Sequence, residues 1–434
     1  MKKKILFDAT IISSGWAKNS NRSGIFFASS NILKKLLKRS ELDISLYCAP
    51  SAIHGLQIVL RDSFVEYPKL KIINENESSV LGVVQDKLIA RKIITGKRRF
   101  PLELQLLYAL SIFVKTLTVL QNRFYHSKAL KLHINEFDIF FSPGYLAPKL
   151  IRNNEKIKRY TLLYDTIPLL FPDLSPFMKY FGYSWTKSIV EHLRPDDYCF
   201  SISEQTKRDF MDFCPCLVPA RIVVTPLAAS EFFYHCIEID RIETVKKKYN
   251  IPLGKKYIFS LCTLEPRKNL LMSVKCFIEL IKKNEIDDLV FVLGGGCHER
   301  FIGVIEEEIN GFKKYKDKIV ISGYIDDQDL APLYSGAAFF VYPSLYEGFG
   351  LPPLEAMQCG CPVISSNISS LPEVVDNAGI LIDPKSEPEF IKAMENLCFN
   401  KELYLELSRK GLERSRHFSW EKCVDIMVKE MIKD

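Results

Sequence analysis

The sequence lacks any long apolar segment. In 434 residues, no uninterrupted apolar run has the about 18 residues of a membrane-spanning helix, because the nearest candidate, 102–120, contains Glu103, Gln105 and Lys115. No secretory apolar core follows Met1–Lys4, which leads directly into a short predicted strand. These two absences predict a cytoplasmic protein without a transmembrane helix.

Cysteine patterns typical of metal sites are also absent. The twelve cysteines are scattered and lie mostly in apolar runs, which predicts buried free thiols in a reducing compartment. Cys214/Cys216 and Cys359/Cys361 are close pairs, but neither has a second pair or a histidine at the spacing of a zinc site. The seven histidines share no motif. We therefore expect neither a bound metal nor a cofactor.

An excess of one charge sign is confined to one stretch. The whole chain has 59 Lys and Arg against 52 Asp and Glu, a net charge of +7. Residues 87–131 contain ten basic residues and one acid, Glu103, so their local balance is 10 − 1 = +9. The ten are Lys87, Arg91, Lys92, Lys97, Arg98, Arg99, Lys115, Arg123, Lys128 and Lys131.

Two interpretations of this basic stretch stay open. Apolar and aromatic residues separate its charges, which favours an amphipathic helical pair that docks on an anionic membrane surface or a lipid-linked acceptor. The alternative is a helix packed on the sheet with a solvated basic face. We expect no nucleic-acid partner, because no recognisable nucleic-acid-binding module accompanies the charge.

Strand and helix patterns alternate along most of the chain. The predicted strands are Lys4–Phe7, Ile44–Cys48, Lys71–Asn74, Phe137–Ser142, Tyr160–Tyr164, Tyr198–Ile202 and Ile222–Thr225, then Tyr257–Cys262, Leu289–Leu293, Ile319–Ser322, Phe339–Tyr342, Val363–Ser365 and Gly379–Ile382. Such alternation predicts α/β domains with parallel sheets covered by helices. The period is lost near residues 228–240, so we predict two doubly wound domains, 1–235 and 236–414, facing a cleft.

The stretch 339–366 combines a strand, a glycine turn, a helix and a second strand. Glu347-Gly348-Phe349-Gly350 forms the turn, and Leu351-Pro352-Pro353 starts the helix that carries Glu355. A helix N-terminus after a glycine turn offers free N–H groups and partial positive charge to a phosphate. Arg267 and Lys268 follow another strand at the same predicted sheet edge, where adjacent cations would neutralise a leaving diphosphate.

These motifs together resemble a known enzyme family. Glu-Pro-Arg-Lys-Asn at 265–269, the run Pro-Ser-Leu-Tyr-Glu-Gly-Phe-Gly-Leu-Pro-Pro-Leu-Glu-Ala-Met at 343–357 and Ser-Leu-Pro-Glu-Val at 370–374 are similar to family 4 of the retaining glycosyltransferases. That resemblance implies the GT-B fold, two Rossmann-like domains around a nucleotide-sugar cleft. Bacterial mannosyltransferases of O-antigen and surface-polysaccharide synthesis are especially similar.

The resemblance also implies roles for residues of the second domain. Glu347 would contact the donor sugar, Glu355 the ribose hydroxyls, and Lys268 with Arg267 the diphosphate. Many relatives carry another arginine where Thr263 stands. The remaining implied donor contacts are Gly295, Tyr324 and Ile325 near the base, and Gly348, Phe349, Gly350 and Leu351 at the sugar and phosphate.

In the first domain, the resemblance implies that Gly24 faces the donor phosphates. Tyr164-Asp165 occupies the place where many relatives have His-Asp, so both residues are predicted acceptor contacts and Asp165 a catalytic candidate. Ser203-Glu204 resembles a serine-rich turn of the family, or is only a helix cap. Residues 415–434 resemble the family's C-terminal helix, which packs on the first domain.

The sequence therefore predicts transfer of an α-linked hexose, with mannose from GDP-mannose favoured, to a glycan or lipid-linked glycan. The alternatives are a UDP-sugar donor (glucose, galactose or N-acetylhexosamine) and a non-catalytic sugar-nucleotide-binding subunit. Asp196-Asp197 and Asp326-Asp327 are adjacent pairs. We expect no Asp-x-Asp pair at a strand end of the cleft, and hence activity without a metal ion.

Overall fold

The computed structural model describes residues 2–16, 24–88, 127–174, 182–296 and 299–433, together with the isolated positions 110, 113, 114 and 117. Most of the basic stretch 87–131 lies outside these ranges. In them the chain forms two parallel six-stranded sheets, each covered by helices. Two doubly wound domains were predicted, and this arrangement confirms them.

The first sheet is built from the N-terminal half of the chain. Its strands are β1 (Lys3–Asp8), β2 (Leu42–Tyr47), β3 (Ile139–Ser142), β4 (Lys158–Leu163), β5 (Tyr198–Ser201) and β6 (Ile222–Val224), in the spatial order β2-β1-β3-β4-β5-β6. The α-helices with both ends in the described residues are Gly24–Leu36, Ile53–Ser63, Lys128–His133, Lys149–Arg152, Ile167–Leu170, Tyr183–His192 and Glu204–Phe213.

The second sheet repeats this design. Its strands are β7 (Lys256–Leu261), β8 (Leu289–Gly294), β9 (Ile319–Gly323), β10 (Phe339–Tyr342), β11 (Val363–Ser366) and β12 (Ile380–Ile382), in the order β12-β11-β10-β7-β8-β9. The helices are Ile239–Lys248, Leu270–Lys283, Glu299–Gly311, Asp327–Gly336, Leu351–Gln358, Leu371–Val375, Glu387–Phe399 and Lys401–Ser415. The order in which the chain adds strands reverses between the neighbours β7 and β10. In such sheets, ligands bind beyond the carboxyl ends of the strands at the point of reversal.

A last helix, Trp420–Met431, returns to the first domain. It packs against the helix Gly24–Leu36, where Lys35 pairs with Glu421, and Arg39 Nη2 lies 2.5 Å from Asp425 Oδ1. The chain therefore crosses from the second domain back to the first after residue 415. None of the helices in the described ranges has the length and apolar character needed to cross a membrane.

One predicted strand was wrong. Lys71–Asn74 forms only an isolated bridge between Ile72 and Leu46. The side chain of Asn74 replaces the next ladder bonds, because its Oδ1 accepts from Cys48 N at 3.2 Å and its Nδ2 donates to Cys48 O at 2.7 Å. The other predicted strands are present, with ends that differ by at most two residues.

Candidate functional site

The loop after β10, residues 343–350, forms one wall of the site, and we call it the donor loop. The four residues of β10 are buried, and Phe339, Phe340 and Val341 expose none of their surface. Gly350 ends the loop with φ 112°, a left-handed conformation that favours glycine. The helix Leu351–Gln358 starts there with proline at its first positions. The hydrophobic strand thus fixes where the loop leaves the sheet.

Two cations and a carboxylate meet below this loop. Lys268 Nζ lies 2.5 Å from Glu347 Oε1, and Arg267 Nη1 lies 2.9 Å from the same oxygen. Ser344 Oγ donates to Glu347 Oε1 at 2.6 Å. Lys268 also donates to the Tyr342 hydroxyl at 2.6 Å. The two motifs predicted to share a sheet edge are therefore in direct contact, because they follow the adjacent strands β7 and β10.

Glu347 is held as a carboxylate although it is only 8% exposed. Burial by itself would raise its pKa, but the charges of Lys268 and Arg267 outweigh burial and lower the pKa to about 2. Arg267 is shared between two carboxylates, because its Nη2 also donates to Glu265 Oε1 at 2.5 Å. Glu347 therefore stays ionised and fixed at any physiological pH.

Glu355 has a different environment. It is partly exposed on the helix Leu351–Gln358, and the Tyr334 hydroxyl donates to its Oε2 at 3.0 Å. Burial raises the pKa of Glu355 to about 7, and the Tyr334 hydrogen bond opposes that rise only in part. No cation lies within ion-pair distance of Glu355 among the described residues. Its carboxylate can thus still accept hydrogen bonds from a ligand's hydroxyls.

A cleft of about 450 Å³ between the domains connects these groups. Eleven of the fifteen predicted site residues line it: Gly24, Tyr164, Asp165, Thr263, Lys268, Glu347, Gly348, Phe349, Gly350, Leu351 and Glu355. Arg267, Gly295, Tyr324 and Ile325 are not among its lining residues. Arg267 instead supports Glu347 from behind.

The three predicted base contacts lie near the ends of β8 and β9. Gly295 N donates to Gly323 O at 2.8 Å, and a Cβ at Gly295 would lie 1.9 Å from Cys262 O, so the backbones touch there. Ile325 is 3% exposed and belongs to the core, whereas Tyr324 is 65% exposed. Ile325 therefore offers at most backbone groups to a ligand.

Tyr164 and Asp165 lie at the end of β4, across from the donor loop. The Tyr164 hydroxyl is 3.0 Å from Ser29 Oγ, which ties it to the helix Gly24–Leu36. The Tyr164 hydroxyl is therefore already engaged within the first domain. Asp165 Oδ1 accepts from Ile167 N at 3.0 Å, and burial raises the pKa of Asp165 against the opposing charge of Arg267. Gly24 also lines the cleft, and a Cβ added to it would lie 3.7 Å from Leu351 Cδ1.

Several lining residues were missed from the sequence. Trp420 reaches the cleft from the last helix, and Asn31 from the first. Tyr342 also lines it, and a polar tip on the last residue of an apolar strand was the available signal. Trp420 had no such signal, because its place depends on the return of the chain to the first domain.

An Asp-x-Asp spacing does occur beside the cleft, but it lies in the first turn of the helix Asp327–Gly336 and not at a strand end. Asp327-Gln328-Asp329 has this spacing, and Asp327 lines the cleft. Asp329 Oδ2 accepts from Lys248 Nζ at 2.6 Å and from the Tyr249 hydroxyl at 2.8 Å, and Asp329 is not among the residues that line the cleft. In the ranges that the structure describes, no group of three or more His, Cys, Asp or Glu residues is placed to hold a metal ion.

Comparison with known protein families shows what this part of the chain is similar to. The family model described as "Glycosyl transferases group 1" matches residues 241–414, which include the donor loop, Lys268 and Glu355. Residues 241–414 are therefore similar to the glycosyl transferases group 1 family. The two glutamates and two cations of the site lie within the matched residues.

Curated relatives and solved structures extend the comparison beyond this domain. The "Serotype-specific mannosyltransferase WbdA" of Escherichia coli is 28% identical over 276 residues, 64% of this chain and 33% of the relative. The "O-antigen chain mannosyltransferase B" of Escherichia coli is 36% identical over 208 residues, 47% of this chain and 52% of the relative. This chain therefore spans about one third to one half of the length of these relatives.

The fold has solved counterparts over nearly the whole chain. The structure of Anabaena Alr3699/HepE in complex with UDP superposes with a TM-score of 0.63 at 12% identity, covering 98% of both chains. The two facing Rossmann-like domains thus form the GT-B fold, which the resemblance had implied.

Proposed function

We propose that this chain is a retaining glycosyltransferase of surface-polysaccharide synthesis. It moves an α-linked hexose, mannose from GDP-mannose, to a glycan or lipid-linked glycan acceptor. The observation that carries the proposal is the buried cluster of Lys268, Arg267 and Glu347 at the switch point of the second sheet. The names of the mannosyltransferase relatives support the choice of sugar.

The end of the site proposed to bind phosphate has N–H groups that are available to a ligand. The ammonium of Lys268 has three N–H donors, and Tyr342 and Glu347 occupy two of them. The N–H groups of Gly348, Phe349 and Gly350 form no hydrogen bond with any described residue. In the proposed reaction these groups bind the diphosphate and stabilise the charge that develops on it as it leaves.

We propose front-face transfer for the chemical step. The bond between the anomeric carbon and the phosphate oxygen breaks, and the acceptor oxygen bonds to that carbon on the same face. The proton of the acceptor hydroxyl passes to the leaving phosphate oxygen. Three groups, Lys268, Arg267 and Ser344, contact Oε1 of Glu347. Its pKa is lowered to about 2, so Glu347 serves as a fixed anion whose Oε2 binds a sugar hydroxyl. A glycosyl adduct on Glu347 in intact-protein mass spectrometry would contradict this mechanism.

A thermal-shift comparison of GDP, UDP and ADP tests the donor. A ligand at 100 times its Kd stabilises the folded state by about 2.7 kcal/mol, so the preferred nucleotide gives the largest rise in Tm. We expect GDP to lead, and transfer from GDP-mannose to follow without loss in EDTA. A larger rise with UDP would replace the donor by a UDP-sugar, and binding without turnover of any sugar would favour a non-catalytic subunit.

The proposal also includes an anionic membrane surface as a partner of the basic stretch 87–131. Sedimentation with vesicles that contain or lack anionic lipid tests this part by itself. Equal binding to both kinds of vesicle would remove the membrane from the proposal and leave the transferase unaffected.

A further inference from the structure

The helix Glu204–Phe213 of the first domain contacts the donor loop of the second. Its cap residue Ser203 accepts from Thr206 N at 3.0 Å, as an N-cap serine does. Capping uses the hydroxyl only as an acceptor and leaves its proton available. That proton goes across the domain boundary, because Ser203 Oγ donates to Gly348 O at 2.7 Å. Ser203 is thus more than a helix cap.

Thr206 adds a second hydroxyl to the same contact. Its Oγ1 lies 3.1 Å from Gly348 O and 3.0 Å from Tyr164 O, so its single proton serves either carbonyl. Ser203 and Thr206 are 1% and 0% exposed, which excludes water as a substitute partner. Removing both donors would leave a buried carbonyl unsatisfied.

The donor loop shows an alternation in how its carbonyls are held. Ser370 Oγ, from the same domain, lies 2.9 Å from both Glu347 O and Phe349 O. The carbonyl between them, Gly348 O, is the one that the first domain holds. The second domain alone therefore fixes the peptides on either side of Gly348–Phe349 and leaves the orientation of that peptide to Ser203.

Further contacts keep the helix against the loop. The carboxylate of Glu373, in the second domain, accepts from Glu204 N at 2.7 Å and Gln205 N at 2.8 Å, where a helix N-terminus has free N–H groups. Gly348 itself has no room for a side chain, since an added Cβ would lie 2.7 Å from Asp165 Cβ. The fit of the two domains is thus tight at the loop.

We propose that Ser203, assisted by Thr206, is a positioning residue that gives the donor loop its working geometry when the domains close. In a trans peptide the C=O and the following N–H point in opposite directions, so holding Gly348 O directs Phe349 N–H away from Ser203 and towards the donor. The inference rests on the proposed function. It makes correct binding of the donor phosphate conditional on contact between the domains.

The test compares kcat with nucleotide binding in two matched pairs of variants. Ser203→Ala is compared with Ser386→Ala, which removes the cap serine of the helix Glu387–Phe399 away from the cleft. Thr206→Val removes a hydroxyl with little change of shape, and Thr206→Ser retains it. We expect Ser203→Ala to lower kcat by about 10- to 100-fold, as misplaced binding groups do. Thr206→Val should lower kcat by a smaller factor, and the two controls should not lower it.

The nucleotide itself should still bind. The Kd for the free nucleoside diphosphate is expected to change by less than about threefold, because the lost interaction matters most in the transition state. Equal kcat for Ser203→Ala and Ser386→Ala, or for Thr206→Val and Thr206→Ser, would overturn the inference alone. A wild-type protein that transfers no sugar from any nucleotide donor would instead overturn the proposed function.

Discussion

Glu347 and Glu355, eight residues apart in the stretch 339–366, have opposite electrostatic environments. Glu347 has two cations and a serine hydroxyl on one oxygen, and they lower its pKa to about 2. Glu355 has one tyrosine hydroxyl, and burial raises its pKa to about 7. The difference arises because the donor loop brings Glu347 into contact with Arg267 and Lys268 after β7. Glu355 lies on the helix that follows the loop and has no ion pair with either cation.

This contrast divides the cleft into two ends. The end at Glu347 keeps its charges over the whole physiological pH range, which suits electrostatic stabilisation of a developing charge but not transfer of a proton. The end at Glu355 changes charge near neutral pH, which suits binding of neutral hydroxyls but makes that binding depend on pH. Substitutions at the two ends of the cleft test this division, and their expected effects range from large to small.

Glu347→Gln should have the largest effect. The change keeps the shape of the side chain but leaves Lys268 and Arg267 without their shared carboxylate. We expect the transfer rate to fall by about 10³-fold and the free energy of unfolding to fall by about 3 kcal/mol, since buried cations lose their partner. Steady-state rates and urea unfolding measure the two effects.

Glu265→Gln is the matched control for this change. It removes another carboxylate from Arg267 but none from the cleft lining. It should therefore weaken stability and retain most of the activity. A Glu347→Gln protein that keeps a tenth of the wild-type rate, with the nucleotide-induced rise in Tm intact, would refute the role assigned to Glu347.

Lys268→Met should lower the transfer rate by about 10²-fold, because it removes a cation from the leaving diphosphate. It should also raise the pKa of Glu347, since Lys268 is the strongest of the groups that lower it. In the wild type, the lowered pKa of Glu347 contributes stability that is full above pH 4.5 and lost as pH falls towards 2. The variant should lose that contribution at higher pH than the wild type.

Acid unfolding monitored by circular dichroism measures the shift. Lys246→Met is the control, because Lys246 is equally buried but pairs with Glu243 outside the cleft. If both variants show the same acid midpoint and the same rate, Lys268 has no special influence on Glu347.

Glu355→Gln should weaken nucleotide binding by about tenfold at pH 8, the cost of losing hydrogen bonds to a charged group. Wild-type binding should strengthen as pH rises through about 7, where Glu355 ionises, and this step should be absent from the variant. The titration of the ligand's own phosphate is common to both proteins and cancels in the ratio of their Kd values. A pH-independent ratio would show that Glu355 does not contact the nucleotide.

The same pKa gives a stability test of opposite sign to that of Glu347. Because the folded-state pKa is raised, the unfolded state loses its proton first, at pH 4.5, and stability falls as pH rises from there to about 7. Glu355→Gln should remove this fall, so that the variant gains stability relative to the wild type above pH 7. Calorimetric Tm values at pH 5 and pH 8 measure it.

Local patterns predicted most of the fold and the charged end of the site. Apolar runs of strand length, the glycine turn and the proline-initiated helix are encoded within a few residues of each other. The meeting of Lys268 with Glu347 followed from the order of parallel strands, since both come after strands of one sheet. These features need no knowledge of how the domains dock.

The interface contacts could not be predicted in this way. Ser203 and Gly348 are 145 residues apart, and no periodicity of the chain encodes their hydrogen bond. Trp420 reaches the cleft only because the last helix crosses back to the first domain. Tyr164 kept its predicted place but turned its hydroxyl to Ser29, a choice between partners that only packing decides.

Tyr334→Phe should have the smallest effect and the most specific one. It removes the one side-chain hydrogen bond that lowers the pKa of Glu355, so that pKa should rise above about 7. The pH at which nucleotide binding strengthens should rise with it, while the Kd at pH 9, where Glu355 is ionised in both proteins, should change little, because Tyr334 is not among the residues that line the cleft. Tyr257→Phe is the control. The Tyr257 hydroxyl donates to Leu333 O, which lies on the same helix as Tyr334, and it does not contact Glu355. Isothermal titration of the nucleotide across pH 6–9 distinguishes the two. An unshifted midpoint in Tyr334→Phe would mean that burial alone sets the charge of Glu355, and the contrast between the two glutamates would then be one of cations present or absent.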